Sequence, residues 1–275
     1  MNPHASYSIN PIQIFVSLTK YRQLIWQMSK REVIGRYKGS ILGLAWSFFN
    51  PLLMLLIYTI VFNTIFQSRW NSGSDSKTEF ALVLFVGMIM HGILAEVLVR
   101  TPGLIIANVN YVKKVVFPLE ILSWVMMGSN LFHALVSLIV WMLIYLVANH
   151  NIQWTVVFLP IVLAPLVLFA MGLSWLLSSL GVYIRDTGQV TVVIASVLMF
   201  LSPVFYPITR LPEPYQMLLF LNPTTFIIEE ARNVLIWGKF PNFTGLVIYY
   251  LVSIIFAWLG FVWFQKTRKG FADVL

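Results

Sequence analysis

Six long apolar stretches constrain this chain more than any other feature of its sequence. Each has 18 or more mostly apolar residues, which as a helix is long enough to cross about 30 Å of hydrocarbon. Only 10% of the 275 residues are charged, whereas a soluble domain carries about 25%. The sequence therefore predicts an all-α membrane protein. Its six transmembrane helices are expected at about 42–66, 80–99, 119–147, 155–180, 190–207 and 245–264.

The basic residues are distributed unevenly between the connecting segments. Most of the 18 Lys and Arg residues lie in the N-terminal segment, the 100–118 loop, the 181–189 loop and the C-terminal tail. Because Lys and Arg accumulate on the cytoplasmic side of a membrane, both termini are expected in the cytoplasm. Binding to nucleic acid would need basic residues along an exposed soluble face. The sequence offers no such face, so nucleic acid is not an expected partner.

Residues 1–38 are interpreted as a cytoplasmic interface helix ahead of the six-span transmembrane domain, 39–275. Within 14–31 the apolar residues Ile14, Leu18, Tyr21, Ile25 and Met28 recur at helical spacing. Lys20, Gln23, Gln27 and Lys30 repeat that spacing two positions later. An offset of two residues is about 200° around a helix, so the two faces are opposed. Such a helix lies on membrane lipid or against a cytoplasmic partner.

A shorter apolar stretch, 211–237, precedes the last span. Pro212, Pro214 and the Asn222-Pro223 pair interrupt it, and Asn222 and Pro223 suit the start of a helix. The helix expected from Thr224 to Ile236 is too short to cross a bilayer. The stretch is predicted to be a re-entrant or interfacial helical hairpin on the outer side of the membrane.

Sequence signatures of catalysis are missing. The chain has no P-loop, no H-E-x-x-H and no G-x-S-x-G motif. It has no cysteine and three aspartates, and no paired carboxylates that would hold a metal. The sequence therefore predicts no catalytic residue, no cofactor site and no metal site.

The stretch Arg36–Phe62 combines a basic patch, a Gly-Ser break and an apolar helix that contains Pro51. Further motifs follow it in order along the chain. They are Asn110, Lys113, Lys114, Phe117, Pro118 and Glu120; then Arg185-Asp186; then Ser202-Pro203 with Tyr206-Pro207; and then Asn222-Pro223 with Arg232. This series resembles the permease subunits of ABC exporters for polysaccharides and polyol phosphates, which carry O-antigen, capsule and teichoic-acid chains. The resemblance covers nearly the whole chain from about residue 20.

The resemblance implies a half-transporter rather than an enzyme. Two copies of this chain would work with two copies of a separate ATPase subunit, which would bind ATP and magnesium. They would export a lipid-linked polysaccharide, expected to be O-antigen, across the bacterial inner membrane. In that family the N-terminal helix and the loop after the second span contact the ATPase, which here are 14–38 and 101–117. The implied contact residues are Lys30, Arg31, Arg36, Tyr37, Lys38, Asn110, Lys113 and Lys114.

Two other functions stay open on the residues alone. One is an ABC exporter of the same architecture for a drug or a free lipid. The other is a membrane-embedded glycosyltransferase or acyltransferase, which would need carboxylate or His clusters at one membrane face.

Aromatic and polar residues within the spans suggest where a glycan would pass. Sugar rings pack on aromatic faces while their hydroxyl groups seek polar partners. The channel candidates are Trp46, Phe49, Tyr58, Phe205 and Tyr206. Ser123, Asn130 and Ser137, with His133, mark one face of the third span, which is interpreted as helix-packing contacts in preference to a substrate site. Glu96 and Arg100 are spaced for an i,i+4 ion pair.

Overall fold

The computed structural model describes residues 9–61, 77–114 and 116–275, which form helices joined by turns and contain no β-strand. Residues 62–66 of the first predicted span lie outside these residues. The α-helices are α1 Ile12–Lys20, α2 Arg22–Arg36, α3 Trp46–Ile60, α4 Lys77–Arg100, α5 Val109–Lys113, α6 Ile121–Asn149, α7 Leu159–Tyr183, α8 Thr187–Phe200, α9 Glu213–Leu219, α10 Thr225–Leu235, α11 Phe243–Thr267 and α12 Phe271–Val274. The all-α class is confirmed.

Five helical segments of the described residues are long and apolar enough to cross a membrane. They are Gly43–Ile60, Glu79–Gly103, Ile121–Asn149, Trp154–Tyr183 and Phe243–Val274. The fifth predicted span, 190–207, is helical only as far as Phe200. Its helix α8 has 14 residues and ends at Phe200, which gives a length of about 21 Å. The helix stops there because Pro203 cannot continue it and because the Asn222 side chain donates to the Leu198 and Leu201 carbonyls.

The N-terminal segment forms two helices where the sequence predicted one. Tyr21 separates α1 from α2 and has a non-helical backbone (φ −103°, ψ 16°). The predicted faces are nevertheless correct, since Ile14 and Ile25 are buried while Lys20 and Lys30 are exposed. Periodicity reports which face is apolar, but a one-residue break between helices that share a face leaves that pattern intact.

Helix α2 packs against α6. Ile25 contacts Ile121 and Val125 in a small apolar cluster, and the Ser29 hydroxyl donates to the Val125 carbonyl at 3.1 Å. A Cβ on Gly128 would lie 2.6 Å from Ser29 Oγ. The apolar face of α2 is therefore covered by the helix bundle itself.

Helix α4 lies at the centre of the bundle. Of its most apolar stretch 72% is buried, against 11% for α3. Helices α7 and α11 pack closely through two glycines, because a Cβ on Gly172 would lie 2.7 Å from the Phe256 carbonyl oxygen, and one on Gly260 would overlap the Gly172 carbonyl. Small residues allow such close approach of membrane helices.

The 211–237 stretch folds as α9 and α10, and the predicted helix over 224–236 is confirmed as Thr225–Leu235. Arg232 on α10 is fully buried. Its guanidinium donates to the Val83 carbonyl of α4 and to the Val204 carbonyl after α8, both at 3.2 Å, and pairs with Glu229 at 2.8 Å. One side chain therefore joins α10 to α4 and to the turn after α8.

Candidate functional site

The end of α4 carries a network of ion pairs that joins it to α2. The predicted pair is present, with Arg100 Nη1 2.9 Å from Glu96 Oε1. The same Glu96 oxygen lies 2.8 Å from Arg36 Nη2 at the end of α2. Arg100 also pairs with Glu32 of α2. The side chains are 20–41% exposed, so solvent screens the pairs. They position α2 against α4 but add little to the stability of the fold.

Tyr37 connects this network to α6. Its hydroxyl oxygen lies 3.4 Å from His133 Nδ1, and the two rings meet edge to face with centroids 5.8 Å apart. Burial raises the pKa of the Tyr37 phenol, with smaller and opposed effects of the Arg36 and Glu96 charges. The phenol therefore stays protonated at neutral pH. The end of α2 is thus held to α4 through Arg36, and the residue after it, Tyr37, to α6.

A cavity of about 540 Å³ opens between α3, α4 and α6 directly beside this network. Arg36, Tyr37, Glu96 and His133 line one end of it. The rest of its lining is Ser47, Asn50, Pro51, Met54, Tyr58, Phe85, Met88, Ile89, Gly92, Ile93, Asn130, Ala134 and Ser137. The cavity therefore has a polar, ion-paired end and walls that mix amide, hydroxyl and aromatic side chains with methionine and aliphatic ones.

The α3 residues of this lining were largely missed by sequence reasoning. Ser47, Asn50, Pro51, Met54 and Tyr58 follow i, i+3, i+4, i+7 and i+11 spacing, so they share one face of the helix. Asn50 was the available signal, since an amide in an apolar span faces protein or a cavity and not lipid.

No group of three or more His, Cys, Asp or Glu residues that could hold a metal ion occurs within 9–61, 77–114 and 116–275. The titratable groups of the network instead form alternating cation–carboxylate contacts. This arrangement can hold helices together and can be broken by a shift of α2.

Comparison with known proteins decides the family. The family model described as ABC-2 type transporter matches residues 23–236, more than three quarters of the chain. This chain belongs to the ABC-2 type transporter family. The resemblance drawn from the ordered motifs is confirmed.

Curated relatives match this ABC-2 chain over almost its full length. The O-antigen export system permease protein RfbA of Myxococcus xanthus is 24% identical over 95% of this chain and 99% of the relative. RfbA of Klebsiella pneumoniae is 26% identical over 92% of this chain and 95% of the relative. The capsule polysaccharide export inner-membrane protein CtrC of Neisseria meningitidis serogroup A is 22% identical over 92% and 94%. The relatives carry the names of permeases and export proteins, and none of these names denotes an enzyme.

The residues expected to contact an ATPase fall into two groups in this ABC-2 fold. Lys30, Lys38, Asn110, Lys113 and Lys114 are exposed and lie on α2, just after it, and on or beside α5. The other three are held by contacts within the chain, and are Arg31, Arg36 and Tyr37.

The two segments that carry these residues meet in the structure. The Arg31 guanidinium donates to the Tyr111 hydroxyl at 3.2 Å, and the Tyr111 ring stacks on Phe117 with centroids 4.4 Å apart. Helix α2 and the segment that carries α5 are therefore in direct contact at Arg31 and Tyr111.

The five channel candidates do not converge within one copy of the chain. Tyr58 lines the cavity, whereas the other four, all described, are not among its lining residues. Phe49 is exposed on α3 beside Phe48. Tyr206 donates to the Phe200 carbonyl at 2.8 Å, and Phe205 stacks on Phe200 at 5.9 Å. Tyr206 and Phe205 therefore pack against the last residue of α8. Trp46 is the first residue of α3.

Proposed function

We propose that this chain is the membrane subunit of an ATP-driven exporter that moves a lipid-linked polysaccharide out of the cytoplasm. The observation that carries the proposal is the near full-length similarity to O-antigen and capsule permeases. O-antigen is the proposed polysaccharide class, because the RfbA permeases of two organisms cover 92–95% of this chain. The ATPase would be a separate subunit, present in two copies with two copies of this chain.

The proposed topology has six crossings of the bacterial inner membrane, with both termini in the cytoplasm. Five helical segments of the described residues have the length for a crossing. Helix α8 and the segment up to Pro207 would make the remaining crossing, with α9 and α10 as the hairpin on the outer side. The accumulation of Lys and Arg near α2, α5 and the C-terminus supports this orientation.

The exposed face of α2 and the segment after α4 would form the ATPase-contact surface. Their exposed cations suit an electrostatic contact, because charged groups at an interface set its specificity and its rate of formation. Arg31 and Arg36 would hold this surface in place through Tyr111 and Glu96. A shift of the surface on ATP binding would then reach α4 and α6 directly.

Glycan would pass along a path between α3 and α8 of two copies. Both helices have predominantly exposed side chains in the single chain, so a second copy has apolar surface to cover there. Trp46, Phe49, Phe205 and Tyr206 lie on or next to these two helices. Tyr58 would face the cavity at the side of this path.

Co-purification tests the assembly. The tagged chain, extracted gently from its native membrane, should retain a P-loop ATPase in equal amount. A variant with Lys30, Lys38, Lys113 and Lys114 changed to Glu should lose the ATPase, because four charges in the contact surface are reversed.

A matched variant with the exposed cations Arg210 and Lys239 changed to Glu should retain the ATPase, since both follow α8 in the stretch proposed to lie outside. If the wild-type chain elutes without an ATPase at working detergent concentrations, the proposed half-transporter is wrong. A membrane-embedded transferase would then become the better candidate.

A further inference from the structure

The cavity between α3, α4 and α6 is lined by polar side chains of all three helices and of the segment after α2, beside apolar ones. Asn130 donates to the Ile93 carbonyl at 2.8 Å, and the Ser137 hydroxyl donates to the His133 carbonyl at 2.9 Å. A hydroxyl has one donor and two acceptor positions, so Ser137 keeps acceptor capacity after this bond. Polar groups at membrane depth are costly without partners and mark binding sites by default.

Several groups of this lining have hydrogen-bonding capacity that the chain does not use. His133 Nε2 is buried and has no hydrogen-bond partner among the described residues. Asn50 lines the cavity and is exposed. Pro51 has no N–H and so deprives the Ser47 carbonyl of its helical donor. A ligand in this cavity would therefore meet both donors and acceptors on α3 and α6.

The charge of the cavity argues against an anion or a cation as the ligand. Arg36 is the one Lys or Arg among the described lining residues, and Glu96 the one carboxylate. The two are paired with each other at 2.8 Å. A phosphate would have to compete with Glu96 for Arg36, and a metal ion would have a single carboxylate already engaged by two guanidinium groups. An uncharged ligand rich in hydroxyl groups avoids both conflicts.

Aromatic rings complete the match to a sugar. Tyr37, Tyr58 and Phe85 line the cavity, and the C–H faces of sugar rings pack on such rings while hydroxyl groups bond to amide and hydroxyl side chains. The volume of about 540 Å³ lies within the usual range of about 300–1,000 Å³ for ligand pockets. It is large enough for a short oligosaccharide and far too small for a polysaccharide.

We infer that this cavity is a sugar-binding site contained in each copy of the chain, which takes a short uncharged stretch of the exported glycan. The inference rests on the proposed export function and adds a site to it. Its lining comes from one copy of the chain, whereas the proposed path lies between two copies and adjoins it. The contacts Arg36–Glu96 and Tyr37–His133 border it, so a movement of α2 would change its shape.

Cysteine labelling tests the site, because the chain has no cysteine of its own. Ser137→Cys places a thiol in the cavity, and Asn149→Cys places one at the exposed far end of the same helix, about 18 Å away. Both variants, assembled with the ATPase in lipid nanodiscs, are treated with a charged thiol reagent. The probes are the lipid-linked glycan extracted from the host membrane and the same lipid carrier, with its phosphate or diphosphate group, after removal of the sugars.

Labelling at position 137 should slow about tenfold when the glycan lipid is present at ten times its dissociation constant, because about one copy in ten is then empty. The sugar-free lipid should give no protection, and position 149 should be unaffected by either. Protection of position 137 by both lipids would overturn the inference in favour of a lipid or diphosphate site. A cysteine at 137 that never reacts would contradict an open polar cavity.

A second readout separates this inference from the export function. Asn50→Leu should raise the glycan-lipid concentration for half-maximal ATPase stimulation about tenfold through the loss of hydrogen bonds, whereas Asn149→Leu should leave it unchanged. If the glycan lipid stimulates the wild-type ATPase but does not protect the cysteine at position 137 from labelling, the sugar site is wrong and the export function still stands. If the glycan lipid neither stimulates the wild-type ATPase nor is transported, the export function itself is wrong, and the sugar site falls with it.

Discussion

Glu96 accepts hydrogen bonds from two guanidinium groups that belong to different helices. Arg36 approaches from the end of α2 and Arg100 from the next turn of α4, at 2.8 and 2.9 Å. Glu32 holds the other side of Arg100. The i,i+4 spacing predicted the Glu96–Arg100 pair. It could not reveal Arg36 or Glu32, because sequence spacing carries no information about contacts 60 or more residues apart.

Glu96→Gln should weaken the connection between α2 and α4 while leaving the fold intact. The amide cannot neutralise the two guanidinium groups, and partial exposure limits the loss of stability to about 1 kcal/mol. The ratio of glycan exported to ATP hydrolysed should fall several-fold, as measured in proteoliposomes that contain the ATPase. Glu213→Gln, on exposed α9, is the control and should leave the ratio unchanged. An unchanged ratio for Glu96→Gln would show that the network does not transmit the ATPase movement.

Arg232→Lys should destabilise the protein although it conserves the charge. A lysine cannot reach the Val83 and Val204 carbonyls and Glu229 together, because its donors sit on one nitrogen. A buried charge left without its partners costs about 3–5 kcal/mol, so the variant should lose its monodisperse elution in detergent well below the wild-type unfolding temperature. Arg185→Lys, at an exposed position, should elute as the wild type does. Equal stability of the two variants would show that the contacts of the Arg232 guanidinium do not stabilise the fold.

At the scale of helices, hydropathy located each apolar element and was least accurate about where elements end. Five of the six predicted spans have a helix of crossing length among the described residues, because a long apolar run fits a membrane helix whatever its neighbours are. The end of α8 depends on Asn222, 22 residues past Phe200, whose amide bonds to the Leu198 and Leu201 carbonyls. A hydropathy average over neighbouring residues cannot detect a helix end that is set by a residue so far along the chain.

The candidate site shows the same limit. Tyr58 was predicted as a substrate contact from its residue type, and its place on the cavity wall agrees with that prediction without testing it. Asn130 and Ser137 were assigned to helix packing; Asn130 does bond α6 to the Ile93 carbonyl of α4, and both residues also line the cavity. Only the position of α3 opposite α6 brings Asn50 and Tyr58 to the same cavity as Asn130 and Ser137, and hydropathy carries no information about the distance between helices.

Gly260→Ala should separate α7 from α11. The added Cβ would meet the Gly172 carbonyl, and because backbone cannot move aside as a side chain does, the cost should be about 3 kcal/mol. Thermal unfolding in detergent should show a clearly lower midpoint for this variant. Gly35→Ala is the matched control, since a Cβ there meets nothing within 4 Å and helix propensity should make it neutral or slightly stabilising. Equal midpoints for the two variants would contradict the close packing of α7 on α11.

On the scale of the whole molecule, the single chain has a buried central helix and outer helices with exposed apolar faces. Helix α4 is surrounded, whereas α3, α8 and α11 expose most of their apolar side chains. The surface formed by α2 and 101–117 is basic and lies at the end of α4 where the ion-pair network begins. In the proposed assembly, a second copy of the chain covers α3 and α8, and an ATPase binds the surface formed by α2 and 101–117.

The most direct test is ATP-dependent transport by the purified assembly. The chain and its co-purifying ATPase are reconstituted in proteoliposomes with the host's lipid-linked glycan, and glycan on the far side is measured with a membrane-impermeant lectin or glycosidase. The proposed function predicts glycan accumulation with ATP, and none with an ATPase whose P-loop lysine is replaced by alanine. Hydrolysis of ATP without any glycan crossing, or crossing at the same rate without ATP, would contradict it.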